Sequence, residues 1–87
     1  MKVIKTIENV ENEGLMALIG KVVTLFCLNY IYTGQLIGVN TRCVLLKNPA
    51  IVYETGPFSD AKWKDAQALP NQLYVMQSAI ESFGKVK

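Results

Sequence analysis

Residues 15–48 constrain this chain more than any other stretch. They hold two strand-like runs punctuated by Gly34 and Gly38, then the polar tripeptide Asn40-Thr41-Arg42, then a third apolar run. Residues 21–28 are rich in Val, Leu and Phe and read as a well-buried strand. Asn29 and Tyr30 suit a turn. Residues 31–40 read as a second strand, bent where Gly38 permits it. Residues 43–47 form a third, interrupted by Asn48-Pro49, and strand character resumes at 51–55. Gly56-Pro57 is a strong stop. Strands so near in sequence predict antiparallel pairing and a small, strongly bent sheet.

The flanks complete the pattern. Ile4, Ile7 and Val10 recur every third residue, with Glu8, Glu11 and Glu13 for a solvated side, and predict a short N-terminal helix. Residues 15–19 continue or restart it, and Gly20 ends it. Residues 57–71 differ in kind from the sheet. Ser59 suits a helix cap, Asp60 a first turn, and Ala61, Ala66 and Ala68 a helix interior, so a loop or short helix is expected there. Residues 73–77 and 80–83 read as a fourth and a fifth strand, with the small pair Ser78-Ala79 between them. The predicted fold is therefore mainly β: a short N-terminal helix, then a strongly bent five-stranded antiparallel sheet or small open barrel.

With 87 residues the chain makes one domain. Such a domain buries only about 60–65% of its unfolded-chain surface. Yet 51% of its residues are hydrophobic, so some apolar surface is expected to lie against another chain. No apolar run reaches the roughly 18 residues of a membrane span. The lysines near the start are not followed by an apolar leader, so a cytoplasmic protein is expected, with no membrane partner. The net charge is +2, but residues 14–53 carry Lys21, Arg42 and Lys47 and no acid. That suits a polyanion partner, or simply a sheet with few charges. With no histidine and two cysteines inside apolar runs, neither a zinc site, a histidine base nor a disulfide framework is expected. No phosphate loop, nucleophile–base pair or metal spacing is present, so no enzymatic activity and no cofactor are expected.

Gly20-Lys21-x-Val23-x-Leu25, followed by Gly34-x-Leu36-x-Gly38-Val39-Asn40, resembles the first sequence motif of the Sm/LSm family. Residues 44–48 resemble the third strand of its bacterial, Hfq-like branch. Residues 72–82 resemble a weak second motif, with Ala79-Ile80 in place. The resemblance covers residues 15–55 and 72–83. It implies an Sm-like, SH3-like open barrel carrying an insertion at 57–71. It also implies a homo-oligomeric ring in which the fourth strand of one subunit pairs with the fifth of the next. Such pairing covers two short strands that would otherwise be exposed edges, and about five to seven copies would close the ring.

The family binds single-stranded, uridine-rich RNA through loops repeated around the ring pore, and some members are RNA chaperones. The resemblance places its aspartate position at Asn40 and its base-stacking position at Arg42. A guanidinium plane can stack on a base and attract phosphate. Gln77 and Ser78 stand where the second motif's loop usually offers a basic residue. Cys43-Val44 replaces the pair that follows the stacking position. Each residue also has a plain reading: Asn40 as a turn residue bonding its own backbone, Arg42 as a solvated charge. Lys62-Trp63-Lys64 is a second candidate contact, since an aromatic between cations can stack a base; equally, Trp63 anchors the insertion by packing. Two functions follow. One is an Sm-like ring binding single-stranded RNA at Asn40, Arg42, Gln77 and Ser78. The other is a structural ring that holds a protein partner at the insertion.

Overall fold

The computed structural model describes residues 5–7 and 13–87. A one-turn helix α1 (Gly14–Ala17) precedes β1 (Val22–Cys27), β2 (Ile31–Val39), β3 (Cys43–Glu54), β4 (Asp65–Ala68), β5 (Leu73–Met76) and β6 (Ile80–Gly84). A 3-10 turn over Gln77–Ala79 joins β5 to β6. All pairs are antiparallel. The strand order is β4-β3-β2-β1-β6, and β5 also pairs with β3. Among the described residues, no hydrogen-bonded ladder joins the two ends of the sheet.

β3 is twelve residues long and organises the rest. One of its edges pairs with β2; the other is shared, β5 taking Cys43–Leu46 and β4 taking Ala50–Glu54. Val23 and Leu25 of β1, Leu36 of β2, Val44 and Leu46 of β3 and Val75 of β5 bury their side chains in one cluster. Leu15 and Leu18 of the helical segment pack against it. These positions alternate along the strands, as a sheet with one buried face requires. Each fully buried leucine contributes about 1.5–3 kcal/mol.

Four irregularities curl the sheet. Between β2 and β3, Gly34 faces the two residues Asn48 and Pro49. Asn48 takes a left-handed conformation with φ 51°, and Pro49 is fully buried. A bulge is where proline is tolerated inside a sheet. A Cβ on Gly34 would stand 3.2 Å from Leu46 Cβ, Lys47 O and Pro49 Cα. A side chain there would require β3 to shift by a few tenths of an ångström. Ile37 is an extra residue on β2 beside Gly38. Tyr53 is extra on β3, and Glu81 on β6. Each extra residue increases local twist and bends its strand.

Two expectations require correction. Among the described residues the sheet has six strands, not the expected five. Residues 57–71 hold no helix; Asp65–Ala68 form β4 along β3. The alanines at 66 and 68 sit opposite Val52 and Ala50, and a free hydrogen-bonding edge on β3 outweighs their helical preference. Asn48-Pro49 bends β3 without ending it. The predicted helix over residues 1–13 falls mostly outside the described residues; α1 begins at Gly14, and Gly20, with φ 89°, ends its segment as expected. No helix among the described residues is long and apolar enough to cross a membrane.

Candidate functional site

The polar tripeptide after β2 is a tight turn built on Asn40. Its Oδ1 accepts from the backbone N–H of Arg42 and of Cys43, both at 2.8 Å. Asn40 N–H donates to Cys43 O at 3.0 Å. An asparagine that closes a turn on its own backbone satisfies two donors that β3 cannot yet satisfy. The turn is not isolated. Gln77 N–H donates to Arg42 O at 2.7 Å, and Gln77 Nε2 donates to Asn40 O. Main chain and side chain of one residue thus tie the start of the 3-10 turn to the β2–β3 turn.

Three of the four predicted residues therefore meet: Asn40, Arg42 and Gln77. Ser78 follows on the 3-10 turn and is exposed. The arrangement leaves Arg42 unusual. Its carbonyl is fixed by Gln77, and its N–H by Asn40. Its guanidinium is exposed and makes no hydrogen bond or ion pair with the described residues. A rigid backbone thus presents a cationic plane to solvent. Lys21 and Lys47, also exposed, lie near Gln35 by register, away from this turn.

The second predicted contact is differently engaged. Trp63 is half-buried and meets Phe58 edge-to-face, ring centroids 6.4 Å apart. Lys64 forms an exposed ion pair with Glu54 at 3.3 Å. The partner sequence reasoning missed is Lys87. Its Nζ stands 4.6 Å from the Trp63 ring centroid and 5.6 Å from that of Phe58. It donates to Thr55 O at 2.6 Å, Lys62 O at 2.9 Å and Pro57 O at 3.0 Å. No sequence signal links residues 25 to 32 positions apart with no motif between them.

The thiols are free and half-buried. Burial pushes the Cys27 thiol above its ordinary value, which disfavours the nucleophilic thiolate at neutral pH. Burial also raises the Tyr32 hydroxyl, with smaller contributions from Cys27 and Tyr30.

Apolar surface remains outside. By register, Cys43 faces Met76 and Leu45 faces Tyr74 on the side of the β3–β5 pair away from the core. Tyr74 is 69% and Met76 53% exposed. Among the described residues, β5 has a ladder partner on one edge only, as does β6, where Phe83 is also exposed.

Comparison of the chain with family models, curated proteins and solved structures returns no match.

Proposed function

We propose that this chain is an Sm-like, ring-forming protein that binds single-stranded RNA through turns repeated around a pore. Residues 15–55 and 72–83 carry the sequence resemblance. The observation that supports RNA contact best is the Asn40–Arg42–Gln77 arrangement: an exposed guanidinium on a turn held from both sides. A backbone already fixed at Arg42 removes the cost of ordering the loop when the guanidinium stacks on a base, leaving the side-chain rotamer cost. Assembly is supported by the free edges of β5 and β6 and by exposed Tyr74, Met76 and Phe83. Edge pairing between copies would satisfy the backbone and bury these side chains. In a ring, each Arg42 would act at high effective concentration beside the next, so weak contacts would sum to useful avidity.

Asn40 has a positioning role in this reading. Its Oδ1 is engaged by two backbone donors, so base recognition falls to Arg42, with Gln77 and Ser78 at the rim. A repeated cation that stacks and meets phosphate binds single strands with little sequence preference. Light scattering should give a mass of several subunits. Fluorescence anisotropy should show saturable binding of oligo-U and oligo-A, weakening as salt rises. A monomeric mass removes the ring, and absence of saturable binding at low salt removes the RNA reading.

The engagement of Asn40 also favours a second reading, an assembly ring that uses the fold as a scaffold and holds a protein partner at residues 57–71. Shortening the loop at residues 58–63, which leaves β4 in place, separates the two: the RNA reading expects binding to survive, and the scaffold reading expects the partner to be lost.

A further inference from the structure

The β3–β4 connection has a geometry that the RNA reading does not use. Gly56 takes a left-handed conformation, φ 66°, and a Cβ there would stand 3.1 Å from Lys64 Cβ. The reversal at Gly56 turns the carbonyls on either side of it, those of Thr55 and Pro57, toward one point. The Lys62 carbonyl reaches the same point from the far side of the loop. Phe58 and Trp63 stand beside it, ring planes at 88° to each other. An open concavity of about 700 Å³, lined by Gly56, Pro57, Asp60, Ala61, Lys62 and Trp63, lies along the same loop. Lys64 lines it as well but pairs with Glu54.

We propose that this connection is a recognition site for a primary ammonium group, the head of a lysine side chain, and that Lys87 occupies it here in cis. The donor count carries the inference. An alkylammonium has three N–H donors and no acceptor, and three carbonyls receive them. The two rings turn their electron-rich π systems to the same charge. A quaternary ammonium would meet the rings but donate to none of the carbonyls, of which Thr55 O and Pro57 O also accept from the N–H groups of Lys64 and Asp60. A guanidinium is planar and does not match three converging acceptors. Asp60 adds an acid to the rim. The occupant arrives from the opposite edge of the sheet: Lys87 lies three residues beyond β6, whereas the site follows β3 at the β4 edge. When Lys87 leaves, the site is open to a lysine of another chain.

The test uses the full chain and its single tryptophan. Lys87→Ala is titrated with n-butylammonium while Trp63 fluorescence is followed. Saturable change is expected for Lys87→Ala. For the unsubstituted protein the apparent Kd should be about tenfold weaker or more, because the ligand competes with a tethered lysine present at an effective concentration on the order of millimolar. Butyltrimethylammonium should produce no saturable change in either. Equal response to both amines, or equal affinity in both proteins, overturns the proposal. Should Lys87→Ala not fold, the unsubstituted protein decides the matter by NMR. The Lys87 CεH2 protons should lie upfield through the ring currents of Phe58 and Trp63, and move back in Trp63→Leu. Random-coil shifts in the unsubstituted protein overturn it as well.

Discussion

Arg42 and Lys87 are both cations near sheet termini, and they are held in opposite ways. The protein fixes the backbone of Arg42 and leaves its charge unsatisfied. It saturates the charge of Lys87 with three carbonyls and two rings. A saturated cation stabilises the fold and can release a site only by leaving. An unsaturated one on a rigid turn contributes little to stability and is ready for a ligand. The difference separates the two corners by energy as well as by place.

The sharpest way to break this contrast is to remove Lys87. Charge-assisted bonds are worth more than neutral ones and cation–π contacts add to them, though two of the three bonds are solvent-exposed. Lys87→Ala should therefore cost about 1–2 kcal/mol, or about 5–15 °C in Tm for a domain this small. Thermal denaturation followed by circular dichroism measures it. A loss no larger than that of Lys85→Ala would place Lys87 among ordinary surface lysines.

Asn40 comes next. Asn40→Ala strands the N–H groups of Arg42 and Cys43, at a cost of about 1 kcal/mol because water can reach them. Asn40→Asp keeps the acceptor oxygen and should hold stability within about 0.5 kcal/mol of the parent. Equal losses from both substitutions would mean that the turn does not depend on the Oδ1 acceptor. Urea titration of the three proteins gives the answer.

Arg42 should show the smallest stability effect and the largest loss of binding. Arg42→Ala is expected to shift Tm by no more than about 2–4 °C, the range of surface substitutions. It should also abolish most oligo-U binding and flatten its salt dependence. Arg42→Lys should retain the salt dependence and lose the stacking part of the affinity. If Arg42→Ala unfolds the protein instead, the guanidinium is structural and the contrast with Lys87 fails. A smaller check concerns Cys27, whose raised pKa leaves little thiolate at neutral pH. Its alkylation at pH 7–8 should be slower than that of a free thiol and should accelerate as pH rises through the raised value.

Much of the sheet was legible before any coordinates. Apolar alternation and the glycines located β1, β2, β5 and β6 and both halves of β3 to within a residue or two, because a half-buried strand imposes its period on the sequence. β4 was not legible. Asp65–Ala68 is short, fully exposed and alanine-containing, and it is a strand only because β3 offers it an edge. The run through Asn48-Pro49 was read as a break for a similar reason: a bulge opposite Gly34 absorbs the proline, and pairing partners distant in sequence decide that.

The candidate site divides along the same line. The sequence by itself determined that Asn40-Thr41-Arg42 is a turn between strands, since asparagine can bond its own backbone locally. It determined too that Trp63 is flanked by lysines in the chain. The motif resemblance grouped Gln77 with Asn40 and Arg42; only the tertiary structure supplied the hydrogen bonds that join them, and only it filled the space beside Trp63 with Lys87. Local hydrogen bonds and periodicity are written in neighbouring residues. Contacts between distant segments depend on how bulges curl the sheet and on which edges remain free, and those follow from the assembled backbone.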